Sequence, residues 1–177
     1  MTSPTSNLKS QCILGIDPGL GITGYGVLEV RATKPVVREA GIIRCQPKTS
    51  LESRLMELYE GIQEVIQSHT IVALAIEQLY SHYERPRTAI LMGHARGVLC
   101  LAAVQGGLKV HSYLPTKVKK LLTGNGRAPK SQMQLAVQQQ LGLSKVPEPP
   151  DVADALAVAL CHYYAIYAHP LYRGTSA

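Results

Sequence analysis

The sequence predicts an α/β fold in which helices flank a mixed β-sheet. Two observations support this prediction. The first strand-like segments follow one another through short polar connections, which is typical of an antiparallel meander. Later apolar runs alternate with segments of helical periodicity, which is typical of parallel strands joined by crossover helices. The resulting order, βββ-α-β-α-β-α-α-α, predicts five strands in one domain, since 177 residues suffice to bury a full core.

Four of the five strands and one helix are expected in the first half of the chain. Residues 12–16 form a short apolar strand pattern, and the β-rich segments 23–30 and 36–45 predict a hairpin directly after it. Apolar residues at helical spacing predict a helix over 51–68. The continuous apolar run IVALAI, 71–76, is typical of a strand covered on both faces.

The second half is expected to be mostly helical. Residues 88–105 predict a helix rich in small residues, and a strand follows near 108–114. Pro115 is expected to open a short basic helix, GNGRAP to form a loop, and 130–141 to form the next helix. After the proline-rich linker KVPEPP, residues 151–168 predict a final, largely buried helix.

The two ends of the chain are expected to lie outside the folded domain. Residues 1–11 predict a flexible N-terminal extension, 12–168 the domain, and 169–177 a C-terminal tail. The first residues contain no apolar signal core, and no uninterrupted apolar run approaches the roughly 18 residues that span a membrane. A cytoplasmic protein without a membrane partner is therefore expected.

The cysteines argue against a zinc site and against a disulfide framework. All four stand singly among apolar residues, without C-x-x-C spacing: Cys12, Cys45, Cys100 and Cys161. Such a pattern predicts buried free thiols in a reducing compartment.

The distribution of charge is more informative than the formal net charge of +6. Between Arg85 and Pro147 there are ten lysines and arginines and no acidic residue. The rest of the chain carries eight basic and twelve acidic residues. This asymmetry indicates that one part of the chain meets a polyanion, although a solvated basic face remains the alternative.

The stretch GIDPGLGITGYG, residues 15–26, contains the G-x-G-x-x-G pattern of a dinucleotide-binding turn. That turn must open a helix, whereas the residues after Gly24 are strand-like, which argues against a dinucleotide site.

Two other phosphate-binding motifs are also excluded. GNGRAPKS has Pro129 where a Walker A loop requires glycine, so it is not a phosphate loop of that kind. The acid, the glycine loop and the hairpin at residues 15–26 also resemble the phosphate-binding turn of actin-like and sugar-kinase ATPases. Those enzymes need a second domain, for which the chain is too short.

Two acids each end an apolar run: Asp17 ends LGID and Glu77 ends LAIE. If the two strands are adjacent and parallel, they lie about 4.8 Å apart and present both carboxylates at one sheet edge. Clustered carboxylates repel one another and need a cation, and their oxygen atoms suit Mg²⁺ or Mn²⁺. An acid at a strand end beside a turn, with no chemical role, remains the alternative for each.

A second acidic pair, Asp151 and Asp154, begins the final helix. The two residues are three apart and therefore share one face of that helix. The alternative is a structural role, in which one acid is the N-cap and the other complements the helix dipole.

Together these residues resemble the RuvC family of bacterial Holliday junction resolvases, over about residues 12–165. The matching pieces, in order, are GIDPG with TGYG, AIEQ, GHARG, PKSQMQ and DVADALAVA. The resemblance implies a ribonuclease H-like fold with a five-stranded mixed sheet flanked by helices. It also implies a homodimer that makes paired, magnesium-dependent nicks in four-way DNA junctions and leaves 5′-phosphate and 3′-hydroxyl ends.

The resemblance also assigns roles to the acids and to the basic segment. Asp17, Glu77, Asp151 and Asp154 fall on the family's catalytic acids, and would bind two Mg²⁺ or Mn²⁺ ions with Asp17 bridging them. The glycines of GIDPGLGITGYG are then expected to keep the first hairpin slim, so that a DNA phosphate approaches the metals. The branch-migration complex RuvAB is an expected partner.

The DNA-binding candidates form one set. Lys119 and Lys130 fall on the family's DNA-contacting positions, and Lys130 is expected to steady the phosphate. Tyr80 matches an aromatic position near the crossover where phenylalanine is common, and Tyr83 is a second candidate for stacking on a base. The remaining candidates are cations expected to contact backbone phosphates: Arg85, Arg87, Lys117, Lys120 and Arg127.

Two other functions and one packing question stay open at this point. The chain could be a nucleic-acid-binding module with purely structural acids, or a ribonuclease H-like nuclease that acts on RNA or simple duplexes, such as the YqgF-type relatives. DVADALA and the basic, tyrosine-bearing segment favour the junction enzyme. The small-residue helix 88–105 is expected to pack either against a partner helix or on its own sheet.

Overall fold

The computed structural model describes residues 10–31, 33–79 and 86–167. Its strands are β1 (Cys12–Asp17), β2 (Ile22–Glu29), β3 (Val36–Arg44), β4 (Ile71–Glu77) and β5 (Lys109–Tyr113). Its helices are α1 (Leu51–Ser68), α2 (Pro86–Gln105), α3 (Pro115–Thr123), α4 (Lys130–Leu141) and α5 (Pro150–Ile166). The predicted extension and tail fall almost entirely outside the described residues, and their boundaries stay a prediction.

The strands form one mixed sheet in the order β3-β2-β1-β4-β5. β2 pairs antiparallel with both β1 and β3, whereas β4 pairs parallel with both β1 and β5. The predicted meander, crossover strands and order of elements are confirmed. Most element boundaries differ from the predicted ones by one or two residues. For example, α2 begins at Pro86, since proline is well suited to a first helical turn, and β1 includes Asp17, which pairs with Gly24.

Helices cover both faces of the sheet, because successive side chains of a strand point to opposite sides. Leu14 and Ile16 of β1 belong to the core under α1 and α2, whereas Ile13 belongs to the core under α3, α4 and α5. α5 is the central helix of the second core, and its residues 152–163 are all buried except Asp154. A helix that is apolar on every side requires such complete burial.

Glycines in β1 and β2 allow α5 to lie directly on the sheet. A Cβ atom at Gly24 would overlap the backbone carbonyl of Asp151, and one at Gly26 would lie 2.5 Å from the Leu156 side chain. The expectation that these two glycines clear space for DNA was therefore wrong. The space beside them is filled by α5, and their effect is to bring the first turn of that helix close to Asp17.

By length and composition, α2 is able to cross a membrane. Only 22% of the 18-residue apolar stretch on which this judgement rests is buried. It is the one such helix within residues 10–31, 33–79 and 86–167. No uninterrupted apolar run in the sequence indicates α2 as such a helix, because Arg87 and Arg96 interrupt the run without removing its apolar character. A single helix of this kind is weak evidence for a membrane span.

Candidate active site

One cleft at the carboxyl edge of the sheet gathers three of the four predicted acids. Asp17 ends β1, Glu77 ends the adjacent parallel strand β4, and Asp154 lies near the start of α5; all three line the cleft. The last register pair before the two strand-end acids is Ile16 with Ile76. The inference that two strand-end carboxylates meet at one edge is thus confirmed in geometry.

The fourth acid, Asp151, lies in the first turn of α5 but is not among the residues that line the cleft. The N-cap of this helix is Pro149, with no capping hydrogen bond from a side chain, and Pro150 is the first helical residue. The N-cap alternative for Asp151 was therefore wrong, because the two prolines place it one residue inside the helix. Its charge still acts on the cleft, since it contributes to the raised pKa of Asp17.

The cleft carries more negative charge than its lysines neutralise. Burial, followed by the charges of Asp154, Glu77 and Asp151, raises the pKa of Asp17 from 3.8 to about 7, and Lys130 opposes the shift. Burial and Asp154 also raise the pKa of Glu77. The arrangement is that of a carboxylate cluster that would gain stability from a further cation.

The donor set fits a hard divalent cation in its chemistry. All four acids offer carboxylate oxygens, the ligands that Mg²⁺ and Mn²⁺ prefer. Within the described ranges, no three His, Cys, Asp or Glu side chains stand close enough to enclose an ion as they are placed. Instead the Lys130 ammonium lies 2.9 Å from Asp154 Oδ2 and supplies the positive charge there.

Without metal, Asp17 is expected to destabilise the protein at neutral and alkaline pH. Its folded-state pKa of about 7 lies above its ordinary value of 3.8, so the stability of the fold decreases as pH rises from about 4 and is lowest above about 7. Asp17→Asn removes this penalty and should increase the free energy of unfolding in EDTA by about 2–4 kcal/mol at pH 8. Urea denaturation at pH 8 and pH 4 checks this.

The gain from Asp17→Asn should vanish at pH 4, where the aspartate is protonated in the folded protein. Glu60→Gln is the control, because this exposed residue of α1 does not line the cleft. An equal gain at both pH values would contradict the raised pKa of Asp17.

Two of the predicted DNA-binding lysines lie at the cleft. Lys119 of α3 and Lys130, the first residue of α4, both line it. Other candidates lie nearby in sequence but not in the cleft: Lys117, whose Nζ is 5.3 Å from the centre of the Tyr113 ring, together with exposed Lys120 and exposed Arg127. Arg87 is exposed in the first turn of α2. Tyr80, Tyr83 and Arg85 lie outside the described residues, so their roles stay predictions.

Sequence reasoning missed Arg96 of α2. Its Nε donates to the backbone carbonyl of Glu77 at 3.3 Å, and its Nη2 donates to Ser112 Oγ at 2.6 Å. Arg96 therefore links α2 to the ends of β4 and β5 directly behind Glu77. The available signal was a lone arginine in the middle of an apolar helix, within the motif GHARG.

The sequence is similar to one family over most of its length. A family model described as crossover junction endodeoxyribonuclease RuvC matches residues 13–162. A relative of that description from Rhodopirellula baltica is 57% identical over 156 residues, which are 88% of this chain and 88% of the relative. Another, from Pelotomaculum thermopropionicum, is 45% identical over 150 residues, which are 85% of this chain and 91% of the relative.

Solved structures agree with the sequence comparison. Thermus thermophilus RuvC is 33% identical with a TM-score of 0.80, over 87% of this chain and 95% of that one. The same protein in complex with Holliday junction substrate gives a TM-score of 0.81 at 33% identity, over 87% and 94% of the two chains. The yeast mitochondrial Holliday junction resolvase Ydc2, 13% identical with a TM-score of 0.63 over 92% and 82%, shares the fold alone. The expected ribonuclease H-like architecture is confirmed.

Proposed function

The chain belongs to the RuvC family of crossover junction endodeoxyribonucleases, and from this premise we propose that its cleft hydrolyses DNA at four-way junctions. The observation that carries the proposal is the convergence of Asp17, Glu77 and Asp154 with Lys119 and Lys130 in one cleft. Acidic groups for a metal and cations for a phosphate backbone are the two requirements of a metal-dependent nuclease. The enzyme acts in DNA recombination and repair.

The four acids would hold two divalent ions, Mg²⁺ or Mn²⁺, with Asp17 shared between them. Such ions would supply an activated water and stabilise the charge that develops on the phosphate and on the leaving oxygen. Lys130, which pairs with Asp154 in the absence of DNA, would contact the phosphate that enters the cleft. Lys119 would hold the backbone of the strand being cut. The products would carry 5′-phosphate and 3′-hydroxyl ends.

The test uses three substrates: a mobile four-way junction, a linear duplex and an RNA–DNA hybrid, each with Mg²⁺, Mn²⁺ or EDTA. We expect symmetric nicks confined to the junction, only when a metal is present. Junction binding in EDTA without cleavage in either metal would indicate a binding module with structural acids. Preferential cleavage of the hybrid would indicate a nuclease of the YqgF type.

Lys119 and Lys130 are expected to contribute one phosphate contact each. Replacing either with Ala should weaken junction binding and reduce the slope of log Kobs against log salt concentration by about one. Fluorescence anisotropy in EDTA at several salt concentrations measures this slope. Lys34→Ala is the matched control, since this exposed lysine lies in the β2–β3 connection at the opposite edge of the sheet. An unchanged slope for a cleft variant would remove that lysine from the phosphate contacts.

A homodimer follows from the symmetry of the substrate, because paired nicks on opposing strands require two active sites related by a two-fold axis. α2 buries small residues such as Ala95 and Ala102 in the core that it shares with α1, β1 and β4, which supports packing of that face on its own sheet. Its other face exposes Ile90, Leu101 and Val104 at 62%, 55% and 64%. We propose that this apolar strip is the dimer face.

The double substitution Leu101→Glu with Val104→Glu is expected to convert the dimer into a monomer. Both side chains are exposed, so the fold should survive while two buried charges per subunit oppose association. Size-exclusion chromatography with light scattering measures the mass, and the monomer should lose paired nicking. Leu135→Glu, on an equally exposed leucine of α4, should stay dimeric. A monomeric wild-type protein would contradict the proposal.

Three further proposals concern the bounds of the folded unit, the localisation of the protein and its partner. We propose that the folded unit spans 12–168, which is supported by a family match over 13–162. We also propose that the protein is cytoplasmic and that RuvAB is its partner at the junction, as the family resemblance implies.

A further inference from the structure

Tyr113, the last residue of β5, connects the strand that carries Glu77 to the helix that carries Asp151 and Asp154. Tyr113 and Glu77 are register partners, and the Tyr113 carbonyl accepts the N–H of Gln78 at 2.8 Å. The Tyr113 hydroxyl lies 2.7 Å from Nδ1 of His162 on α5. Both residues are buried, with exposures of 6% and 2%.

The position of His162 makes this bond an anchor for α5. His162 lies eleven residues after Asp151, which is close to three full turns, so the two side chains leave the helix in nearly the same direction. Asp154 is about 12 Å from His162 along the helix axis at a rise of 1.5 Å per residue. A contact at His162 therefore constrains both the rotation of α5 about its axis and its position along that axis.

The bond persists under the conditions in which a nuclease works. Burial, together with the nearby His111, lowers the pKa of His162 to about 4, and the two imidazole rings are 4.4 Å apart. The ring is thus neutral around pH 7. A phenol can donate to a neutral imidazole nitrogen or accept from it, so the pair is satisfied in either tautomer.

We propose that the Tyr113–His162 hydrogen bond sets the spacing between Glu77 and the Asp151–Asp154 pair, and thereby the affinity of the cleft for divalent ions. Tyr113 and His162 are positioning residues, since neither lines the cleft. The inference rests on the proposed function of the carboxylates. Groups that hydrogen-bond directly to metal ligands typically change metal affinity by about 10- to 100-fold when removed, and a bond that acts through the helix and the strand is expected at the lower end of that range.

Tyr113→Phe tests the proposal, because it deletes the hydroxyl and keeps the ring under Lys117. The matched control is Tyr163→Phe. Tyr163 is 4% exposed and its hydroxyl donates to the Arg31 carbonyl at 2.6 Å, so it anchors the same helix to the β2–β3 connection instead. Binding of Mn²⁺ to the DNA-free protein is measured by calorimetry. We expect Tyr113→Phe to weaken binding about tenfold, and Tyr163→Phe to leave it within about twofold.

Junction cleavage by Tyr113→Phe and Mn²⁺ binding by a conservative variant of His162 test the proposal independently. For Tyr113→Phe the Mg²⁺ concentration at half-maximal junction cleavage should rise by the same factor, while the rate at saturating Mg²⁺ recovers. His162→Asn, whose amide reaches the position of Nδ1, should bind Mn²⁺ nearly as wild type, and His162→Leu should match Tyr113→Phe.

Equal weakening in both phenylalanine variants would overturn the proposal, because it would indicate general loosening of α5. A second outcome would also overturn the proposal: Tyr113→Phe binds Mn²⁺ as tightly as the wild type, while Asp17→Asn does not bind it. In that case the proposed metal site would still stand. Absence of Mn²⁺ binding to the wild type would overturn both.

Discussion

Asp17→Asn is expected to lower the rate of junction cleavage by at least about 10³-fold, because in the proposed mechanism Asp17 would bind the metal, and a bound metal supplies several kcal/mol of transition-state stabilisation. Asp17 is the acid on which the other three act, since Asp154, Glu77 and Asp151 all raise its pKa. Asparagine has nearly the same size as aspartate, and it leaves the backbone pairing of β1 with β2 intact. It removes one negative charge from the cleft. Single-turnover nicking of a labelled junction in Mg²⁺ measures the loss.

Junction binding should survive this substitution, and removal of a negative charge should if anything strengthen it. Glu77→Gln is expected to behave in the same way, because Glu77 ends the neighbouring strand and lines the same cleft. Glu60→Gln, on the exposed side of α1, should leave both cleavage and binding unchanged. If Asp17→Asn abolishes binding together with cleavage, the acids are architectural and the proposed mechanism fails.

Gly24→Ala is expected to cost about 3 kcal/mol or more of unfolding free energy, at the upper end of the cost of overpacking a core. The new methyl group would overlap the Asp151 carbonyl and lie 3.1 Å from the Asp151 Cβ. Backbone atoms cannot rotate away, so the first turn of α5 must move. Cleavage should fall with stability, because Asp154 moves with that turn.

Gly21→Ala is the matched control in the same glycine-rich segment. A Cβ at Gly21 would meet only an Arg54 Nη2 atom at 3.9 Å, which is ordinary contact, so the change should be within about 0.5 kcal/mol of wild type. Urea denaturation and junction cleavage measure both variants. Wild-type stability of Gly24→Ala would mean that α5 does not press on β2.

The sequence was sufficient for the fold because the strands and helices carry local signals: helical spacing in α1, a continuous apolar run in β4 and a proline at the start of α3. The same local rules placed Asp17 and Glu77 together, since two parallel neighbours must end at the same edge. The glycines were misinterpreted for a physical reason. A glycine pattern indicates that another group approaches the backbone closely, but it does not indicate whether that group belongs to DNA or to a helix of the same chain. Gly24 contacts Asp151, which lies far along the chain.

Non-local polar contacts were likewise beyond the reach of sequence patterns. Arg96 and His162 are polar residues within largely apolar stretches of α2 and α5, and the partners of both lie far from them along the chain. Spacing rules cannot pair such residues, because only tertiary packing brings them together. The contributions of Tyr80 and Tyr83 to DNA binding stay predictions that rest on the resemblance.

The dispersion of the acids along the chain has a consequence for synthesis in the cell. Asp17 and Glu77 emerge from the ribosome early, whereas Asp151 and Asp154 arrive with the last helix. Domains form progressively from the N-terminus during translation, so a nascent or truncated chain that lacks α5 holds only half of the acidic cluster. In the proposed mechanism, such a chain would not nick DNA before α5 has been synthesised and has docked.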